Sequence, residues 1–318
     1  MSLGITLASP FFGLSFIEPS SLFIDDHQDA AVFWRLRAPR AAAAFLAGAG
    51  LSMSGMVFQA LFRNPLATPF TLGVSSGASL GASIYFWLGG IALVRSGSVG
   101  PLTSSLAGAG LSMFLVWTIT RSRGGMSTAI MLLAGVVINF FFSSLVLFVQ
   151  YLSDAHDSLR IMHWLMGSLA SLETARLADL AFVVICGGVF ITILAPEIDL
   201  LTTGEEMAAS RGVKLSSLKL KIFLSASIMV GTVVSLAGPI GFVGLMVPHA
   251  ARLFLGWNHR LLTPAVFFSG GAFLVLCDLA SRLVLAPAEI PIGIVTALLG
   301  GPFFLWILFR SGSMGDLF

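Results

Sequence analysis

Charge is what this sequence has least of. Asp, Glu, Lys and Arg together make 10% of its 318 residues, against roughly a quarter in a soluble domain. Such a chain cannot cover a globular surface with polar groups, which excludes a water-soluble enzyme or binding module. Lysine is scarcer still, with three residues, Lys214, Lys219 and Lys221, all inside one polar island at 202–222. The net charge of +2 leaves no basic footprint, so no nucleic acid is expected as a partner. There are two cysteines, Cys186 and Cys277; both fall in apolar stretches and read as small packing residues, neither a disulfide nor a metal pair. No Gly-x-x-x-x-Gly-Lys-Ser/Thr loop is present, so the chain has no phosphate cradle of its own. The apolar stretches hold no clustered Ser/His/Asp, His–Glu pair or diacidic motif, which argues against an intramembrane enzyme. The first residues lack a basic start and a cleavage site, so no cleavable signal peptide is expected.

What is present is apolar bulk. Hydrophobic residues make up 57% of the chain, and the mean hydropathy is +0.96. Its 34 glycines and 27 phenylalanines suit helices packed closely through small residues, with aromatic bulk toward lipid. A span needs about 20 apolar residues. Residues 41–62, 70–94, 100–120, 128–152, 175–196, 219–237, 263–287 and 290–309 meet that demand. The segment 240–256 is shorter and starts at Gly238-Pro239, which predicts a broken or re-entrant start. The first segment, 3–17, is about 15 residues with Pro10 inside it; a truncated span, an interfacial segment and a surface piece all remain open. The expectation is an all-α polytopic membrane protein of about ten transmembrane helices, nine counted and the first short.

Orientation follows from the basic residues. Placing 202–222 inside puts Arg63, Arg121, Arg123, Arg211, the three lysines, Arg252, Arg260 and Arg310 on the inner face. Arg35, Arg37, Arg40, Arg95, Arg160, Arg176 and Arg282 then lie outside. The C-terminus is expected in the cytoplasm. One octapeptide, Leu-Ala-Gly-Ala-Gly-Leu-Ser-Met, occurs at 46–53 and again at 106–113; small residues at this spacing predict close helix packing.

Several strings carry a family resemblance. They are Arg37-Ala-Pro-Arg40, Gln59-Ala-Leu-Phe-Arg-Asn-Pro-Leu-Ala67, Leu72-Gly-Val-Ser-Ser-Gly-Ala78 and Gly204-Glu-Glu-Met-Ala-Ala-Ser-Arg-Gly212. Gly238-Pro-Ile-Gly-Phe-Val-Gly-Leu-Met-Val-Pro-His249 and Glu289-Ile-Pro-Ile-Gly-Ile-Val-Thr-Ala-Leu-Leu-Gly-Gly-Pro302 complete the set. From about residue 30 to 310 the chain resembles the FecCD permeases of ATP-binding-cassette (ABC) transporters. These are importers of ferric siderophores, haem and vitamin B12. The short, proline-interrupted N-terminus departs from the pattern, where the family has a full first span.

The resemblance implies a type II importer fold: one permease domain over 1–318 with a cytoplasmic coupling-helix loop at 200–218. It implies a second permease subunit (identical or homologous), two cytoplasmic ATPase subunits, a periplasmic binding protein and surrounding lipid, in the bacterial inner membrane. No cofactor is expected on this chain; ATP belongs to the partner. Gly204, Glu205, Glu206, Ala208, Arg211 and Gly212 would form the ATPase-coupling element. In isolation the same residues describe a capped surface loop: acids at the start of a short helix, Arg211 at its end, Gly212 to stop it. Arg37, Arg40 and Arg282 would dock the binding protein. Arg37 and Arg40 also fit headgroup anchors, and Asp278, four residues before Arg282, could instead hold that arginine. Asn64, Leu66, Ser127 and Thr128 would narrow the cytoplasmic gate, although Pro65 alone would stop a helix there. His249 reads as a structural hydrogen-bonding residue. The expected cargo is a ferric siderophore, with haem, cobalamin or an oxyanion as alternatives. An ion-coupled secondary transporter is the competing class, but it calls for acidic groups deep in the membrane, and Asp179 and Asp278 are the few candidates.

Overall fold

In hydrocarbon every backbone N–H and C=O must find a partner within the protein, and a long apolar run meets that demand by itself as a helix. The computed structural model describes residues 2–13, 17–18, 20, 28–89, 100–122, 126–170 and 174–310. Arg95, Arg123, the end of the 70–94 segment and the C-terminal residues after 310 lie outside the described residues, and of Arg310 only the backbone is described.

The helices, in chain order, are α1 (Ser2–Ala8), α2 (Gln28–Val32), α3 (Ala38–Phe62), α4 (Val74–Trp87), α5 (Pro101–Ser122), α6 (Thr128–Leu152) and α7 (Ala155–Leu165). They continue as α8 (Thr174–Thr202), α9 (Glu205–Ser210), α10 (Leu215–Ala237), α11 (Val243–Leu255), α12 (His259–Leu283) and α13 (Ile292–Arg310). Among the described residues six helical stretches are long and apolar enough to cross a membrane. Shorter apolar helices complete the bundle: Ser2–Phe11, α11 and the body of α13, together with the 14-residue α4. The all-α polytopic expectation holds.

Four boundaries differ from the sequence reading. Arg37-Ala-Pro-Arg40 does not precede a helix; it lies inside a continuous helical stretch from Asp29 to Phe62. Pro39 has no N–H for the carbonyl four residues back, and the chain adapts with a π turn, Phe33–Arg37, in which Ala38 N–H bonds to Phe33 O. The 70–94 segment yields a shorter helix, because Pro69–Leu72 winds as a separate 3-10 turn ahead of α4. At the other end of the chain's hydrophobic middle, α8 runs through Pro196 to Thr202, six residues beyond the expected stop. Finally, α10 begins at Leu215, four residues ahead of the expected start at 219. The expected break before α11 is present: Phe242 sits in the left-handed region at φ 65°, just ahead of Val243.

The core is built on α3. Its most apolar window is 83% buried, and it packs against α8, α10, α11 and α12. Small residues allow this. A Cβ on Gly48 would overlap the carbonyl oxygen of Gly270 in α12, and one on Gly108 would overlap that of Gly77 in α4. Both are third residues of the repeated octapeptide. The outer helices present lipid-facing bulk, as at Phe140, Phe141 and Phe148 of α6. Cys186 is exposed on α8 and Cys277 buried on α12, both as free thiols.

Candidate functional site

The polar island forms a short, tightly terminated helix. Gly204 precedes α9 at φ 133°, and Gly212 follows it at φ 87°. Gly212 N–H bonds to Ala209 O and Val213 N–H to Ala208 O, at 2.9 and 3.1 Å. This pair of bonds is a Schellman stop, with glycine where a Cβ would be strained. Glu205 and Glu206 lie in the first turn, where the helix dipole favours acids.

The island has two faces. Ala208, expected in the ATPase-coupling element, is fully buried and faces the bundle. Glu206, Met207, Ala209, Ser210, Arg211 and Gly212 are exposed. Glu205 turns back into the bundle: Thr128 Oγ1 donates to its Oε1 at 2.7 Å, and Lys219 Nζ donates to its Oε2 at 2.7 Å. The ammonium also donates to Met126 O at 2.9 Å. Lys219 is almost wholly buried, a position that a lysine holds only when paired. Burial works to raise the Glu205 pKa, but the bonds from Lys219 and Thr128 and the charges of Lys219 and Arg63 outweigh it. The carboxyl therefore titrates below its ordinary 4.5. Sequence reading grouped Lys219 only with a polar stretch; its spacing of 14 from Glu205 spans a loop and gave no sign of the pair.

Thr128 thus belongs to this junction as much as to any gate. Ser127 precedes it, exposed, as the N-cap of α6. Asn64 closes the end of α3: its N–H bonds to Gln59 O at 3.1 Å, and its Oδ1 accepts Leu66 N–H at 2.9 Å. Leu66 is exposed. A cavity of about 300 Å³ lies beside this turn, lined in part by Gln59, Asn64, Thr203, Arg252, Trp257 and His259. Arg252 donates to Gln59 Oε1 and stacks over Trp257, 4.8 Å from the ring centre. Asp199, carried there by the unforeseen extension of α8, accepts His259 N–H at 2.9 Å and bonds to His259 Nδ1 at 2.6 Å. His249 packs against Phe303 and Phe304, ring centres 6.3 Å away.

The opposite end carries a second ionic cluster, about 35 Å away along α3 at 1.5 Å per residue. Asp278, 1% exposed, accepts Arg40 Nε at 2.8 Å and pairs with Arg282 Nε at 3.1 Å. Arg40 also pairs with the exposed Glu289 at 2.9 Å. Arg37 donates to Pro10 O and Phe11 O at 3.3 and 3.5 Å, tying the N-terminal segment to the bundle. The structure therefore brings Arg40 and Arg282 together on one carboxylate, while Arg37 bonds to the N-terminal segment. Arg35, which the sequence reading did not select, is exposed.

A helix bundle with small-residue crossings, a capped polar turn at one end and a break before α11 defines a polytopic membrane protein. Comparison narrows this. The profile of the FecCD transport family matches residues 1–310, and the chain belongs to that family. It is 37% identical over 295 residues to an uncharacterised ABC transporter permease, YvrB of Bacillus subtilis, covering 93% of this chain and 83% of that protein. It is 36% identical to the hemin transport system permease HmuU of Yersinia pestis, over 88% of this chain and 84% of HmuU. The vitamin B12 import permease BtuC of Klebsiella pneumoniae is 37% identical, over 89% and 83%. Among solved structures, an ABC transporter in an inward-facing conformation, provisionally described as of metal-chelate type, superposes with a TM-score of 0.87 at 32% identity. That match covers 97% of this chain and 96% of the other. The chain is an ABC-transporter permease subunit.

Proposed function

We propose that this protein is the membrane subunit of an importer that carries a metal chelate from periplasm to cytoplasm across the bacterial inner membrane. The observation that carries the reading is α9, whose exposed face, Glu206, Met207, Ala209, Ser210 and Arg211, stands on a helix locked at both its ends. Such a preorganised polar knob suits insertion into a groove on a cytoplasmic ATPase, which would supply the ATP hydrolysis that this chain has no loop to perform. Two permease and two ATPase subunits would form the core, with the α9 end and the C-terminus in the cytoplasm.

At the other end, Arg37, Arg40 and Arg282 would meet acidic groups of a periplasmic binding protein. Asp278 holds two of them in place, and fixed charge of this kind steers encounter more than it adds affinity. Asn64, Leu66, Ser127 and Thr128 would frame the inner gate. A ferric siderophore is the cargo expected from the resemblance. Hemin and vitamin B12, the cargoes named for relatives at 36 and 37% identity, form the second reading.

The test is reconstitution with a cognate ATPase and binding protein. Hydrolysis stimulated by the binding protein, together with uptake of chelate, is the expected result; hydrolysis by the permease alone would overturn the assignment. Growth of a deletion strain on single sources of ferric siderophore, haem or cobalamin then identifies the cargo.

A further inference from the structure

The two faces of α9 connect different things. Its exposed face is free to meet a partner, whereas its buried face is fastened to two membrane helices through one carboxylate. Glu205 Oε1 accepts the hydroxyl of Thr128, the first residue of α6, and Oε2 accepts the ammonium of Lys219 in the second turn of α10. Lys219 closes the loop by donating to Met126 O, two residues before α6 starts. Ala208, one turn along from Glu205 and fully buried, lets the helix sit close enough for these bonds. Glu205 and Lys219 are charged and each makes two of these bonds, and Lys219 is almost wholly buried. Charge-assisted bonds in such surroundings resist shear more than neutral ones.

We propose that Glu205, Lys219 and Thr128 form a strut that makes α9 and the start of α6 move as one body. Displacement of α9 by an ATPase would then shift the Ser127–Thr128 end of the pathway directly. Glu205 and Lys219 are positioning residues in this account; neither needs to touch cargo or nucleotide. The inference rests on the importer reading above. Coupling between two sites can be carried by hydrogen-bond and salt-bridge networks that join rigid elements, and the bonds of this junction form such a network.

The test uses the full permease reconstituted with its ATPase and binding protein, comparing Lys219→Met, Glu205→Gln and the double variant. The double variant leaves no unpaired buried charge, so it guards against a folding defect in either single one. Chelate transported per ATP hydrolysed should fall roughly tenfold in each single variant, within the range of ordinary intersite coupling. The double variant should be no worse than the singles, because one strut is broken once. Additive losses, or an unchanged transport ratio in the double variant, would overturn the strut.

A second readout does not depend on transport. Spin labels at Thr203→Cys, just ahead of α9 and outside the face assigned to the ATPase, and at Ala129→Cys, both exposed positions, are placed in a chain carrying Cys186→Ser and Cys277→Ser. Their separation should stay narrow and constant through the ATP cycle in the parent, and broaden or vary in the double variant. A broad separation in the parent overturns the proposal. If the parental permease retains no ATPase at all, the importer reading itself fails, and the role assigned to the strut fails with it.

Discussion

Each end of this bundle carries an ionic junction in a molecule that has almost no charge, yet the two are built differently. At the arginine end, one carboxylate that is 1% exposed, Asp278, holds two guanidinium groups from α3 and α12. At the lysine end, a carboxylate that is 33% exposed, Glu205, holds one ammonium and one hydroxyl. The first junction joins long helices that already pack along their length, so it fixes a surface. The second joins a six-residue helix to the ends of two long ones and is the main polar attachment of that helix. A deeply buried carboxylate between two cations suits a rigid platform. A half-exposed one suits a connection that must hold while its element is pushed.

The contrast can be broken at either end. The largest effect is expected from Asp278→Asn, which leaves two partly buried arginines short of their shared, buried partner. Removing one member of a buried ionic group costs about 3 kcal/mol or more. The thermal midpoint in detergent should drop clearly, and docking of the binding protein should slow as Arg40 and Arg282 lose their fixed positions. Ala208→Trp should rank next. A side chain forced into a filled site costs about 2 kcal/mol, here paid locally by unseating α9, so limited proteolysis should cut at 203–213 while the membrane helices stay intact. Glu205→Gln should cost less, about 1 kcal/mol, as one partly hydrated bond pair is weakened.

The smallest effect is in pH. Folding lowers the Glu205 pKa below 4.5, so the junction contributes fully above that value and loses its contribution as pH falls through the folded-state pKa. The stability difference between parent and Glu205→Gln should be flat from about pH 8 to about pH 5 and shrink only in stronger acid. A difference that changes near neutrality would mean that another group controls the junction.

Much of the fold could be read from the sequence because apolar run length translates directly into helices in lipid. Residues 128–152 were placed without error, since α6 has no proline and ends cleanly at Ser153. Span ends near prolines were the least accurate. The span expected to stop at 196 runs on through Pro196, and the one expected from 41 extends upstream of Pro39, where a π turn absorbs the missing N–H. The repeated octapeptide shows a further limit. Both copies put a glycine at a helix crossing, as their small-residue spacing implied. The copy in α3 is nearly all buried, while in α5 Leu106, Ala107, Gly110 and Leu111 face outward. Identical strings cannot report how many neighbours surround them.

The candidate site was readable in part for the same reason. Local features such as the Gly212 stop follow from adjacent residues. The pairings Arg40–Asp278 and Glu205–Lys219 depend on tertiary contact and leave no periodic trace. Ala208 and Ala209 are adjacent and chemically identical, and only the helix's rotation on the bundle decides which one meets a partner.

That rotation provides the most direct test. Ala209→Trp should leave the thermal midpoint of the permease unchanged, because the position is exposed, yet abolish co-purification of the ATPase and with it stimulated hydrolysis and uptake. Docking of the binding protein should persist. If Ala209→Trp keeps the ATPase bound and transports at the parental rate, the exposed face of α9 is not where the drive enters, and the account of this end of the molecule is wrong.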